Sequence, residues 1–204
     1  SRTMPQKLGL YLVVFIAIHS LVYAEQPIDV LKQNIDQGIR ILNDPRYQHL
    51  RQKDPQQQRL GKILQRVFDF REFSRLVLAT NWHKFNPQQK EEFVEVFAAF
   101  LRKYYLGQLQ EKYTDEKILY LSQEFIGASK AVVKTSVLWK DLEVPVDIRM
   151  LKRDGTWKAY DVLVLGVSAV RNYRAQFQAI LLTESPAQVI ARLQKKVAHL
   201  QPAR

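Results

Sequence analysis

The spacing of apolar residues changes near Lys117, and this change limits the possible folds more than any other feature of the sequence. Before Lys117, apolar side chains recur every three or four positions, which is typical of amphipathic helices. After it, they alternate with polar side chains, which is typical of strands with one buried face. Helices followed by consecutive strands indicate an α+β domain, and 204 residues suit a single domain.

Prolines and capping residues divide the helical part into separate elements. The sequence predicts helices over residues 28–42, from Pro55 to Val67, over residues 70–79 and after Asn86-Pro87. Two further helices are expected at the C-terminal end, one capped by Ser168 and one opened by Pro186.

The alternating part predicts a four-stranded antiparallel meander over residues 117–165, with Arg153-Asp154-Gly155 as the turn before the last strand. Strict alternation places the side chains of that strand on two faces, with Tyr160, Val162 and Val164 on one and Trp157, Asp161 and Leu165 on the other. We expect a helical layer over residues 28–110 to pack on this sheet, and the two C-terminal helices to complete one compact unit.

Residues 1–24 have the composition of a tag remnant followed by a signal peptide. Ser1 to Thr3 precede Met4, and the apolar run over residues 8–18 leads to Val22-Tyr23-Ala24, a cleavage pattern with small residues at its two recognition positions. A membrane anchor is the alternative, but 11 apolar residues fall short of the roughly 20 needed to span a bilayer. The expected mature chain, residues 25–204, is one exported, soluble domain.

The formal net charge of +11, or +9 without Arg2 and Lys7, suggests an anionic partner. Export disfavours nucleic acid relative to membranes and acidic proteins. Because the basic residues are interspersed with acidic ones, most are expected on an ordinary solvated surface. The chain has no cysteine, which excludes disulfides, thiolate metal sites and cysteine nucleophiles.

The sequence carries no recognisable catalytic or metal-binding motif. His49, His83 and His199 are isolated, without a second ligand at metal-site spacing. No Gly-x-Ser-x-Gly elbow and no glycine-rich phosphate loop is present. We therefore expect neither enzymatic activity nor a metal or cofactor.

One face of the long helix after Asn86-Pro87 is unusually aromatic. Its stripe consists of Phe93, Val96, Phe97, Phe100, Leu101 and Tyr104. Four large aromatic side chains on one face suit either a binding cavity or an ordinary core, and the periodicity does not separate the two.

Several motifs along the mature chain resemble one known family. The most specific block runs from Gly155-Thr156-Trp157-Lys158-Ala159-Tyr160-Asp161-Val162 through Gly166-Val167-Ser168 to Asn172-Tyr173-Arg174-x-Gln176-Phe177. Weaker matches are Phe68-Asp69-Phe70, Leu76-Val77-Leu78, Asn81-Trp82 and the segment from Glu92-Phe93 to Leu101. Together they resemble the MlaC family, also known as toluene-tolerance Ttg2-type auxiliary proteins.

This resemblance implies a periplasmic, monomeric phospholipid carrier of an Mla-type ABC transport system, which maintains the lipid asymmetry of the outer membrane. The phospholipid, a cargo rather than a cofactor, would lie in an apolar cavity between the helices and a curved sheet. The implied partners are an inner-membrane MCE-domain protein of the ABC transporter and an outer-membrane lipoprotein complex.

Combining the resemblance with the apolar faces gives a set of expected lipid-contacting residues. They are Phe93, Phe97, Phe100, Tyr104, Val133, Val146, Ile148, Val162, Val164, Val170, Tyr173 and Phe177. Lys103, Arg149 and Arg174 are candidates for a headgroup rim. For Arg174 the competing interpretation is a structural ion pair with a strand carboxylate such as Asp161.

Three positions depart from the family pattern. Ala79 replaces a frequent glycine, Ile148 a common tyrosine and Leu165 a frequent glutamate. These differences leave a hopanoid or other lipid carrier of a related branch as an alternative. A lipase-like hydrolase and a periplasmic binding module with a filled core are the other two classes considered.

Overall fold

The computed structural model describes residues 24–200, so the predicted signal segment before Ala24 lies outside the described residues. This part of the chain contains six α-helices: α1 (Pro27–Leu42), α2 (Lys53–Val67), α3 (Phe70–Leu78), α4 (Pro87–Lys112), α5 (Ala169–Ile180) and α6 (Pro186–His199). It contains five strands: β1 (Lys117–Ile126), β2 (Lys130–Trp139), β3 (Leu142–Arg153), β4 (Thr156–Val164) and β5 (Val167–Ser168).

The helix boundaries follow the capping signals in the sequence. The Asn86 side chain caps α4 by accepting a hydrogen bond from the Gln89 backbone amide at 2.8 Å. The Gln89 side chain in turn accepts one from the Asn86 backbone amide. Ser185 and Gln188 form the same reciprocal box at the start of α6. Such boxes satisfy backbone donors that have no partner within the helix. The predicted helix positions are confirmed within a few residues.

The sheet is an antiparallel meander in the order β1-β2-β3-β4-β5. The four-strand prediction misses β5, a two-residue strand that pairs with the end of β4 just before Ser168 caps α5. The predicted faces of β4 are right from Asp161 to Val164 but wrong for Trp157 and Tyr160, because the register shifts between Arg149 and Met150 and leaves Tyr160 as an extra residue. This bulge puts Ala159 and Trp157 on the face of Val162.

The helices do not form one layer over the sheet. Helix α1 packs on it, where Val30 and Leu31 meet buried residues of β2, β3 and β4, and the end of α2 joins this contact through Val67. Helices α3, α4, α5 and α6 instead form their own core. This helical core meets the sheet at the edge of β4, where the Asp69 amide donates to the Ala159 carbonyl at 2.7 Å. Phe68 packs against both cores, so the two are not separable.

Asp161 fixes the helical core to the sheet. Its buried carboxylate accepts hydrogen bonds from the Ser168 hydroxyl at 2.5 Å and the Val170 backbone amide at 3.0 Å. Arg149 approaches it to 3.5 Å. Because a buried carboxylate is costly without partners, these bonds hold the start of α5 against β4.

Candidate functional site

An open space of about 890 Å³ lies between the helices and one end of the sheet. Its walls come from α1, α2, the last turns of α4, the loop after α4, and the adjoining ends of β1 and β2. The lining residues are Asn34, Ile35, Gly38, Ile39, Leu42, Leu60, Ile63, Leu64, Val67, Leu106, Leu109, Glu111, Lys112, Tyr113, Thr114, Glu116, Ile118, Val137, Trp139 and Lys140. The deep wall is almost entirely aliphatic.

The cavity lies where the apolar stripes of α1 and α2 pack against their neighbours only in part and otherwise border open space. Ile35 and Ile39 recur at helical spacing on α1, and Ile63 and Val67 do so on α2. Gly38 adds no side chain to the wall, and a Cβ there would lie 3.9 Å from the Leu60 side chain. The sequence thus leaves room for an apolar ligand at the centre of the wall.

Three glutamines hold the helices that enclose the cavity. The buried Gln56 side chain donates to the Ile41 carbonyl at the end of α1 at 3.0 Å. The Gln110 amide of α4 donates to the Lys53 carbonyl and to Gln56, both at 2.9 Å, and Gln57 donates to Gln110 at 3.1 Å. This network fixes the ends of α1 and α4 relative to the start of α2.

The rim of the cavity carries charges of both signs. Lys112 and Lys140 are exposed there, together with Glu111 and the partly exposed Glu116. Hydrogen bonds from Thr114 hold the pKa of Glu116 below its usual value, so this carboxylate stays ionised near neutral pH. The Lys140 ammonium lies 4.8 Å from the centre of the Trp139 ring. The rim can therefore face a zwitterionic or a singly charged group.

Comparison with protein families gives a match to the family described as MlaC protein, over residues 32–195. The chain belongs to the MlaC family. The match confirms the resemblance seen in the signature motifs.

A solved structure has the same fold. It is described as a phospholipid-binding protein from Ralstonia solanacearum in complex with a phospholipid. The two chains are 20% identical, with a TM-score of 0.73, and the match covers 86% of this chain and 99% of the other. A search of curated proteins gives no significant match.

The structure places none of the twelve expected lipid-contacting residues on the cavity wall. Phe93, Phe97, Phe100, Val170, Tyr173 and Phe177 belong to the helical core or pack against it. Val133, Val146, Ile148 and Val162 belong to the sheet core or pack against it. Tyr104 and Val164 are exposed, by 40% and 45%.

Aromatic packing explains why the helical core holds no comparable space. The rings of Phe93, Phe97 and Phe177 lie edge-to-face or tilted, with centroids 5.2–5.3 Å apart. Tyr173 closes on Phe97 at 5.4 Å and donates to or accepts from Tyr105 at 2.7 Å. Such contacts fill the volume that the aromatic stripe suggested for a ligand.

The three basic residues expected at a headgroup rim do not line the cavity of this MlaC-family chain, and each contacts another protein group. Lys103 donates to the Val197 carbonyl of α6 at 3.1 Å, and Arg149 faces Asp161. Arg174 donates two hydrogen bonds, of 2.9 and 2.7 Å, to the Leu76 carbonyl in the last turn of α3. Arg174 therefore ties α5 to α3 and does not bond the suggested partner Asp161, whose carboxylate accepts from the start of α5.

Sequence reasoning found the apolar stripes of α1 and α2 but assigned them to helix packing. Two signals could have located the cavity. The first is a second pair of apolar residues on α4, Leu106 and Leu109, which follows the aromatic stripe. The end of β2 carries Trp139, which precedes Lys140 in the hairpin to β3. This large apolar side chain is exposed, and a filled core would not require it there.

Among residues 24–200, no group of histidine, aspartate and glutamate side chains is arranged to hold a metal ion. Within the same residues no helix has the length and apolar composition needed to cross a bilayer.

Proposed function

We propose that this chain is a periplasmic phospholipid carrier, the exported component of an Mla-type ABC transport system that maintains outer-membrane lipid asymmetry. The single observation that carries the proposal is the aliphatic cavity of about 890 Å³ in a member of the MlaC family. The phospholipid bound to the Ralstonia solanacearum protein of the same fold supports the choice of ligand.

The cavity is large enough for lipid tails. A methylene group takes up about as much space as a water molecule, roughly 30 Å³. A volume of about 890 Å³ therefore holds on the order of 30 methylenes, close to two chains of about 16 carbons. Shielding that many methylenes from water stabilises the bound lipid by on the order of 25 kcal/mol relative to tails in water.

A bilayer shields the same tails to a similar extent, so the carrier's affinity alone does not set the direction of transport. Direction would come from docking to an inner-membrane MCE-domain protein of the ABC transporter and to an outer-membrane lipoprotein complex. In this proposal the chain acts as a monomer without catalytic function, and the lipid headgroup stays near the mixed charges of Lys112, Lys140 and Glu116.

Native mass spectrometry of freshly purified mature protein tests this function. We expect a fraction of the protein to carry the added mass of one phospholipid, released by organic extraction and identified by fragmentation. An extract of hopanoids would favour the related branch of lipid carriers. A protein that stays at its bare mass, even after incubation with phospholipid in detergent, would contradict lipid carriage and favour a binding module.

A further inference from the structure

One end of the sheet has an apolar surface that is left open to solvent. It consists of Trp139, Leu142, Val144, Val164 and Val167, which we name the end strip. Trp139, Leu142, Val164 and Val167 are 46%, 59%, 45% and 63% exposed, and Val144 is half-buried. Large apolar side chains grouped in this way on a surface usually mark an interaction site.

Strand register puts the end strip on the same face of the sheet as the cavity. Trp139 lies opposite Leu142, and the cavity-lining Val137 lies opposite Val144. On the next strands, Val164 lies opposite both Val146 and Val167. Directly opposed residues share a face, as do residues two apart on one strand.

The end strip therefore continues the cavity wall outward. It starts at Trp139, which lines the cavity, and crosses β3 and β4 to β5. Four strands spaced about 4.8 Å apart give it a length of roughly 14 Å. An apolar chain leaving the cavity over Trp139 meets further apolar side chains rather than a polar rim.

The turn beside the end strip exposes one more apolar residue under backbone strain. Leu165 has a φ of 51° and is 67% exposed, and its amide donates to the Pro145 carbonyl at 3.0 Å. Glycine, asparagine and aspartate adopt this left-handed conformation more easily than a leucine does. Folding alone would favour a polar residue at position 165, so an apolar contact is the better account of this leucine.

Charge complementarity does not explain what covers this surface. Near the strip, Lys140 is accompanied by Asp141 and Glu143, and the cavity rim is mixed as well. A tryptophan flanked by a lysine and exposed aliphatic side chains is instead the composition found at the boundary between lipid headgroups and acyl chains.

We propose that the end strip contacts the surface of a lipid bilayer, and that acyl chains pass along it between the bilayer and the cavity. The proposal rests on the proposed function and adds to it, because carrying a lipid does not itself require direct membrane contact. A bilayer covering the strip would keep each methylene out of water during transfer. The mixed charges predict contact that depends little on salt.

Lipid transfer between protein-free phosphatidylcholine vesicles tests the proposal. The substrate is phosphatidylcholine with a fluorescent acyl chain, moved from donor to acceptor vesicles by purified mature protein. The double variant Leu142→Glu/Val167→Glu places two charges on the strip outside the cavity wall. We expect its transfer rate to fall by on the order of tenfold or more at both low and high salt, with unchanged equilibrium loading from detergent-solubilised lipid.

Two further variants keep the result interpretable. Leu182→Glu is the matched control, since Leu182 is 84% exposed but follows Leu181 of the helical core, at the far end of α5, which is about 18 Å long. It should transfer lipid at the wild-type rate. Leu165→Asn removes the exposed apolar turn residue and suits the positive φ, so it should fold at least as well as wild type and still transfer more slowly.

Unchanged transfer by the double variant and by Leu165→Asn would overturn the membrane contact and leave a protein as the occupant of the strip. Equal slowing in Leu182→Glu would overturn it too, because the effect would not be specific to this surface. A wild-type protein that loads no lipid from detergent would contradict the proposed function itself. Normal loading with strip-independent rates contradicts only this further inference.

Discussion

The helical core and the cavity are built from the same kind of sequence pattern, but one is filled and the other is open. In the helical core, Phe93, Phe97 and Phe177 come from two helices and interlock at ring distances of 5.2–5.3 Å. Around the cavity, the aliphatic Ile35, Ile63 and others line a volume of about 890 Å³. An apolar stripe thus shows which face of a helix avoids water, and the opposing elements decide whether that face meets protein or space.

The difference has a structural cause in how each set of helices is held. Arg174 ties α5 to the end of α3, and Asp161 ties the start of α5 to β4, so the aromatic side chains close on one another. At the cavity, the Gln56 and Gln110 network fixes the ends of α1, α2 and α4 without filling the space between them. Polar links set the distance, and side-chain size then fills or leaves the gap.

The largest expected effect comes from emptying the filled region. Phe97 is completely buried, so Phe97→Ala should lower the free energy of unfolding by about 3–5 kcal/mol. The matched change Ile39→Ala in the cavity wall should cost only about 1 kcal/mol, because that side chain already borders open space. Urea denaturation of delipidated protein measures both. Similar losses at the two positions would remove the distinction between filled and open regions.

Overfilling the two regions should give opposite results. Val162→Trp inserts a large ring against the sheet core and should lower the free energy of unfolding by about 1–3 kcal/mol. Gly38→Leu projects into the cavity and replaces a helical glycine, so stability should be unchanged or rise by up to about 1 kcal/mol.

Lipid content separates these variants further. Gly38→Leu should lose a large part of its bound phospholipid by native mass spectrometry, whereas the folded fraction of Val162→Trp should keep it. Full lipid occupancy in Gly38→Leu would argue that the acyl chains lie elsewhere.

Much of the fold follows from local signals in the sequence. Asn86-Pro87 fixes the start of α4 through a cap that needs no tertiary contact, and alternation over residues 117–165 predicts the order of the meander. The bulge at Tyr160 reverses the faces of the first half of β4. Alternation does not predict this bulge, because it depends on pairing with β3 and on the buried Asp161.

The site was less predictable for the same reason. The stripe of Phe93 and Phe97 on α4 is aromatic, whereas the stripe of Ile35 and Ile39 on α1 is aliphatic. Its larger side chains made the aromatic stripe the expected wall for the ligand. In the structure, Phe177 and Tyr173 of α5 pack against the rings of this aromatic stripe, although they lie 70 or more residues away in the sequence. Which stripe remains uncovered depends on these long-range contacts.

A smaller loss of stability is expected when the link between α5 and α3 in the helical core is removed. Arg174→Ala removes both hydrogen bonds to the Leu76 carbonyl and should lower the free energy of unfolding by about 1–2 kcal/mol. Thermal melting should show the same loss in loaded and delipidated protein, and Arg174→Lys should recover part of it. A loss confined to lipid occupancy would instead return Arg174 to the headgroup.

The smallest expected effect depends on pH. The bond from Arg75 holds the pKa of Glu72 below its usual value, with a further contribution from Arg153 at the end of β3. A lowered pKa in the folded state stabilises the protein above the ordinary glutamate pKa of about 4.3 and ceases to do so as the pH falls below it. Glu72→Gln should therefore cost under about 1 kcal/mol near neutral pH and almost nothing in acid.

Denaturation curves of wild type and Glu72→Gln at neutral and acidic pH measure this contribution. Glu72 does not line the cavity, so lipid occupancy should not change between the two proteins. A stability difference that persists unchanged in acid would show that the carboxylate acts through packing rather than charge.

The central claim is that lipid tails occupy the aliphatic cavity and not the aromatic core. Photoaffinity labelling with a reactive lipid tests this claim most directly. The protein is loaded with a phosphatidylcholine that carries a photoactivatable diazirine on one acyl chain, irradiated, digested and mapped by mass spectrometry. The account predicts labels on peptides of α1, α2 and the last turns of α4, at residues such as Ile35, Ile63 and Leu109. Labels concentrated on Phe97 or on Phe177 of α5 would contradict it.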